Sequence, residues 1–260
     1  MARKEDYIAV FDSGVGGISV LKELVKAMPG EKYLYFGDSA NAPYGQRPTE
    51  EVRALTLAAA EQLMARGVKA LVIACNTATA AAINDLRNAY PDTIIIGIEP
   101  ALKVAADRFP GGHIGVMATP VTLREEKFSQ QLHRFPNVQV TPIPVTGLVE
   151  LIEEGAAETR IDQVLRQCLG PYAGKLDAVV LGCTHYPFAT AQIQNILGTE
   201  TVLLDGNTGT AAQTRRLLEK AGLLLEETGS ITIENSSADP AIVRRCEALL
   251  QEIQKGSHKL

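Results

Sequence analysis

Two cysteines stand out by their setting. Cys75 closes an apolar run in Leu71-Val-Ile-Ala-Cys-Asn-Thr77, and Cys183 closes another in Val179-Val-Leu-Gly-Cys-Thr-His185. Each run is short and precedes a stretch of helical spacing, so each thiol is expected at the carboxyl end of a buried strand, where open α/β sheets bind ligands. A helix N-terminus there favours thiolate over thiol and is expected to lower a free-thiol pKa of about 8.5 toward neutrality. Such a thiol can both take and give a proton. Read singly, either cysteine serves as well as a small buried hydrophobe. Read as a pair facing one ligand from opposite sides, they would remove a proton from one face of a carbon centre and return one on the other.

Neighbouring residues could tune and orient that chemistry. Asp12 follows the first apolar run at the same edge as Cys75, and His185 lies two residues past Cys183. Asp12 has an alternative role as a turn or helix cap, and His185 as a hydrogen-bonded core group. Asn76, Thr77 and Thr184 place short polar side chains beside backbone N–H groups at expected helix starts, which suits a carboxylate and equally suits capping. The glycines of Asp12-Ser-Gly-Val-Gly-Gly17 miss the G-x-G-x-x-G spacing, so no nucleotide is expected. Ala42-Pro-Tyr-Gly45 reads as a loop whose Tyr44 packs it or reaches a ligand.

The elements that must carry these residues are legible as an alternation. Apolar runs at Tyr7–Phe11, Tyr33–Phe36, Ala70–Ala74, Ile94–Ile98, Ile114–Met117, Val138–Ile143, Ala178–Leu181 and Val202–Leu204 read as buried, mainly parallel strands. Helical spacing is clear in Ile18, Leu21, Leu24, Val25, Met28 and in Val52, Leu55, Ala59, Leu63, with Thr49 and Gly67 as expected caps. This is the pattern of a doubly wound α/β fold. The chain also repeats itself: Ile8–Ser13 resembles Ile114–Thr119, and the two cysteine segments resemble each other, at offsets of 106 and 108 residues. Two pseudo-symmetric halves, each carrying one cysteine, are expected, with the site in the cleft between them.

Bulk properties fit this picture. A chain of 260 residues has room for two domains at roughly 100–200 residues each. With 46% hydrophobic and 21% charged residues it is an ordinary globular composition. The net charge of -5 offers no basic stripe for nucleic acid. The apolar run after the charged first residues is too short for a signal peptide or membrane span, so a cytoplasmic protein is expected. Four cysteines without paired spacing imply free thiols rather than a disulfide framework. Cys168, beside Leu165 and Leu169, and Cys246, among Ile242 and Leu249, read as core packing.

Asp12-Ser13 with Gly14, Gly16 and Gly17, Pro43-Tyr-Gly45, Cys75-Asn-Thr-Ala78 and Cys183-Thr-His-Tyr-Pro187 together resemble the glutamate racemases of bacterial cell-wall synthesis. The resemblance runs from about Ile8 to about Leu218. It implies a metal-free, pyridoxal-free enzyme that interconverts L- and D-glutamate, the D-isomer being required for peptidoglycan, and it suggests a homodimer. It also implies two α/β domains, residues 1–98 with 206–260 and an inserted 99–205, with the active site between them. Carried over by motif, Cys75 and Cys183 are the acid–base pair, assisted by Asp12 and His185. Asp12, Ser13, Tyr44, Gly45, Asn76, Thr77, Thr184 and His185 surround the substrate, joined by Thr119 and Thr122. Glu153 occupies the segment of an assisting glutamate, with Glu150 and Glu154 close enough to confuse the choice; as residues, all three read better as a solvated helix face. Glu125 and Phe128 stand where the family often has serine and tyrosine, and Asp205-Gly-Asn207 replaces Asp-Ser. An aspartate racemase is an alternative, though His185 favours glutamate. A Cys/His zinc site or Cys–His hydrolase is an alternative of a different class.

Overall fold

The structure is a computed structural model that describes residues 2–124, 130 and 134–256. In its first part β1 (Tyr7–Asp12), α1 (Ile18–Ala27), β2 (Lys32–Gly37), α2 (Thr49–Met64), β3 (Val68–Ile73), α3 (Asn76–Ala89) and β4 (Ile94–Gly97) alternate. The second part runs through α4 (Leu102–Arg108), β5 (His113–Ala118), α5 (Pro120–Arg124), β6 (Gln139–Pro144), α6 (Leu148–Glu154), α7 (Glu158–Leu169), β7 (Ala178–Leu181), α8 (Thr190–Leu197) and β8 (Val202–Asp205). It closes with α9 (Asn207–Lys220), β9 (Ser230–Asn235) and α10 (Pro240–Gly256).

The strands form a five-stranded sheet in the order β4-β3-β1-β2-β9 and a four-stranded sheet in the order β6-β5-β7-β8. Every described pairing is parallel. The repeat seen in the sequence extends to register: Ile8 faces Ala70 and Phe11 faces Ile73, while Ile114 faces Ala178 and Met117 faces Leu181. Beyond the strand ends, Ala74 N–H donates to the Phe11 carbonyl at 2.7 Å and Gly182 N–H to the Met117 carbonyl at 2.7 Å. Each sheet therefore presents a cysteine one residue past an equivalent anchor.

Both faces of the central strands are covered, which is why β1, β3, β5 and β7 read as continuous apolar runs, whereas the edge strand β6, expected as buried, has only Ile143 buried. Ile8, Val10, Tyr35 and Val72 pack toward α1, α9 and α10, and the alternate residues Ala9, Phe11, Leu71 and Ile73 toward α2 and α3. In the second sheet Met117, Val179 and Leu181 meet α6, α7 and α8, while Ile114, Val116 and Val180 meet α4. Each large aliphatic side chain buried in this way contributes roughly 1.5–3 kcal/mol.

Three local expectations are corrected. The cap of α2 is Pro48, with Thr49 already helical, because proline's fixed φ suits a helix start; Gly67 lies two residues past the C-cap Ala65, at φ 78°. The strand β9 was not anticipated: it lies at the sheet's edge with Ile231 exposed and Thr232 and Ile233 only partly buried, so it carries no continuous apolar run. After Cys183 the chain enters a turn and a 3-10 segment, Tyr186–Ala189, before α8, since Pro187 cannot donate to a continuing helix. Only Cys75, therefore, stands at a helix N-terminus.

Candidate active site

The carboxyl edges of β1, β3, β5 and β7 converge on one cavity of about 30 Å³. Ser13, Tyr44, Gly45, Cys75, Asn76, Thr77, Thr119, Cys183, Thr184 and His185, all sequence candidates, line it. Asp12 and Thr122 are the two candidates that do not; both are buried immediately behind it. Cys168 and Cys246 lie elsewhere, packed against the cores as expected.

Cys75 is the N-cap of α3, and its sulfur accepts from the Ala78 N–H at 3.4 Å, as a cap should. Ser13 Oγ lies 3.5 Å from the same sulfur. Burial pushes this thiol up to about 12, and the charge of Asp12 adds to the rise, against the hydrogen bonds from Ser13 and Ala78. This reverses the expected lowering: a helix terminus contributes on the order of 1 kcal/mol, less than the removal of a charge from water. Asp12 itself is raised, first by burial and then by Glu153, with His185 opposing. Its carboxylate accepts from Gly14 N–H at 3.1 Å and from the Thr184 hydroxyl at 3.1 Å, so it acts on Cys75 through charge.

Cys183 belongs to a different network. His185 Nδ1 lies 3.7 Å from its sulfur, and His185 Nε2 lies 2.6 Å from Glu153 Oε1. Burial opposes the imidazolium, but Cys183 and Glu153 together outweigh it and hold His185 well above the usual histidine range. Glu153 also accepts from the Val15 N–H at 2.8 Å. The expectation of a solvated helix face for all three glutamates is thus corrected at Glu153, which turns inward from α6. Glu154 pairs with Arg160 at the surface, and Glu150 lines the cavity and accepts from Gln46 Nε2. Leu148, Leu151 and Ile152 are buried, and the stripe they form does not by itself separate Glu153 from Glu154, so the choice is made by packing.

Glycines account for the closeness of these groups. A Cβ on Gly14 would stand 1.9 Å from Glu153 Oε1, and one on Gly16 2.4 Å from His185 Nδ1. The segment that superficially resembles a dinucleotide loop instead admits side chains of the other half. Gly45 likewise lets its loop approach Thr119, whose Cγ2 a Cβ would meet at 2.7 Å.

Polar groups complete the lining. The hydroxyls of Thr77, Thr119 and Thr122 lie 3.0–3.2 Å from one another, joining α3 to the edge of β5. Tyr44 donates to Asp38 at 2.6 Å. Among the described residues, Asn76 Oδ1 is buried without a hydrogen-bond partner, which leaves it able to accept from a ligand. Gly206, where the family pattern has serine, packs so that a Cβ would stand 2.2 Å from the Glu99 carbonyl oxygen. Glu125 and Phe128 lie outside the described residues. Among the described residues no helix is long and apolar enough to cross a membrane.

The chain has recognisable relatives. Residues 10–214 match the family described as Asp/Glu/Hydantoin racemase. A glutamate racemase of Clostridium kluyveri is 49% identical over 250 residues, covering 94% of this chain and 97% of the relative. A glutamate racemase isoform of Bacillus anthracis superposes with a TM-score of 0.85 at 30% identity, over 97% of this chain and 95% of that one. The glutamate racemase of Francisella tularensis, solved in complex with D-glutamate, gives 0.84 at 28% identity over 95% and 94%.

Proposed function

The chain belongs to the Asp/Glu/hydantoin racemase family, and from that premise we propose that it interconverts L- and D-glutamate by proton transfer between two thiols, without a cofactor. The observation that carries the proposal is that Cys75 and Cys183, from different sheets, line one small cavity with Asn76, Thr77 and Thr184. The α-carbon of glutamate lies between the sulfurs. One sulfur, as thiolate, takes the α-proton; the electron pair left on carbon is delocalised into the α-carboxylate; the opposite thiol returns a proton to the other face. The sulfurs exchange protonation states in each turnover, and the reverse reaction uses the same groups.

Asp12 and His185 assist from either side. The substrate's ammonium, entering beside Asp12, offsets the burial that holds Cys75 protonated, so that this thiol becomes able to act as a base. His185, backed by Glu153, offers an N–H to Cys183 and stabilises charge on that sulfur. Ser13, Asn76, Thr77 and Thr119 with the backbone N–H groups of Gly45 and Thr184 supply donors for the two carboxylates, while Tyr44, held by Asp38, shapes the wall and Thr122 holds the Thr77 and Thr119 hydroxyls from behind. The product D-glutamate serves peptidoglycan synthesis in the cytoplasm. We further read the chain as two domains, 1–98 with 206–260 and 99–205, and as one subunit of a homodimer.

Incubating the protein with L-glutamate in D2O, without added cofactor, is expected to yield D-glutamate carrying deuterium at Cα. Cys75→Ala and Cys183→Ala should each lower racemisation by more than about a thousandfold, since the loss of either proton-transfer group stops a two-base cycle. Absence of exchange with wild-type protein ends the proposal; full activity in either variant removes the two-thiol mechanism.

A further inference from the structure

Tyr35 lies outside the cavity lining, yet it heads a hydrogen-bond chain that reaches Cys183. It is fully buried on β2, and its hydroxyl donates to the Gly14 carbonyl oxygen at 2.6 Å. That oxygen belongs to the same peptide group as the Val15 N–H, which donates to Glu153 Oε1 at 2.8 Å. Glu153 Oε1 lies 2.6 Å from His185 Nε2, and His185 Nδ1 3.7 Å from Cys183 Sγ.

A peptide that accepts at oxygen becomes a better donor at nitrogen, so the two ends of this group are coupled. Its orientation is also fixed sterically. The Gly14 oxygen lodges against Gly37, where a Cβ would stand 2.5 Å from it, and a Cβ on Gly17 would stand 3.1 Å from the Tyr35 ring. The hydroxyl thus sets, from the first sheet, a donor that grips a carboxylate carried by α6 of the second.

Resting on the racemisation proposed above, we propose that Tyr35 is a positioning residue for the Cys183 side of the reaction, acting through the Gly14–Val15 peptide, Glu153 and His185. A tyrosine that only filled the core would hold its ring in place and leave the relay indifferent to its hydroxyl.

Tyr35→Phe keeps the ring and removes the hydroxyl. It is expected to lower kcat about 3- to 10-fold with KM within about twofold, the loss of one hydrogen bond's worth of alignment. In a Glu153→Ala background the same change should cost less than about 1.5-fold, because the acceptor that joins Val15 to His185 is gone. Equal fractional losses in both backgrounds overturn the proposal. A second readout needs no turnover: amide exchange at Val15 should quicken roughly 5- to 10-fold in Tyr35→Phe while Val10 of β1 is unchanged. Site-specific 3-fluorotyrosine at position 35, a stronger donor with the ring intact, should slow it. Unaltered Val15 exchange in both proteins overturns the assignment. If wild-type protein does not racemise glutamate, the proposed function fails, and Val15 exchange still decides whether Tyr35 governs this peptide.

Discussion

The two sulfurs sit in unlike electrostatic surroundings, and each has its own consequence. Cys75 faces a buried carboxylate and is held as a thiol, whereas Cys183 faces an imidazole that burial would neutralise but Cys183 and Glu153 keep protonated. His185 has a folded pKa above its unfolded value near 6.5. The native state therefore binds the extra proton, and the stability it confers is complete below about 6.5 and lost as pH rises through the folded pKa. His185→Gln should cost stability near the low end of the roughly 3–5 kcal/mol for breaking a buried pair, since Glu153 is slightly accessible. Denaturant titrations should give a smaller gap between wild type and variant at pH 9 than at pH 6. A gap that widens with pH would show that His185 folds in neutral. At this scale the sequence was informative wherever a residue type was rare or doubly placed, as with the two cysteines and His185. It was silent on Glu153 because three glutamates share one short helix, and only packing selects which turns inward. The direction of the Cys75 shift was also unreadable, since burial depth belongs to the assembled cleft.

Strand ends and helix starts were legible in the sequence because parallel strands covered on both faces must be apolar throughout, and each cysteine marks where such a run stops. The edge strand β9 escaped because one side of it meets solvent and its apolar residues are few. Subtler is the glycine segment between β1 and α1. Its composition resembles a phosphate loop, and only the neighbouring half explains it: Gly14 and Gly16 leave room for Glu153 and His185. Gly14→Ala should therefore expel Glu153 from its place, lowering racemisation by about a hundredfold, a size typical of a misplaced catalytic partner, and destabilising the fold by roughly 1–3 kcal/mol through overpacking. Gly209, inside α9 with nothing within 4 Å of a Cβ, is the control. There alanine should raise stability by about 0.5–1 kcal/mol through helix propensity and leave turnover unchanged. Thermal melts and initial rates on the two variants check both halves of the contrast; an active Gly14→Ala would mean that Glu153 is dispensable.

Across the whole molecule, the halves meet along the cleft floor through buried contacts, Thr184 to Asp12 and Ser19 to the Thr184 carbonyl, and through the part-buried contact of Val15 with Glu153. The rim is closed by the exposed pair of Gln46 and Glu150. The cavity is narrow, about 30 Å³, and Gln46 and Glu150 are both part of its lining. Entry of the substrate is expected to part the halves at this pair. The exposed rim contact costs little to break, on the order of 1 kcal/mol, whereas the floor joins groups the reaction needs in register, so the cleft should open at the rim and pivot on the floor. Tying the rim tests this. With Cys168 first replaced by alanine, Gln46→Cys and Glu150→Cys joined by a short cleavable thiol cross-linker should lose more than about a hundredfold in racemase activity. Activity should return on cleavage, while each single-cysteine variant treated alike stays active. A cross-linked protein that still turns over at the uncross-linked rate would place the entry route elsewhere, with the rim pair a surface contact that the cycle never disturbs.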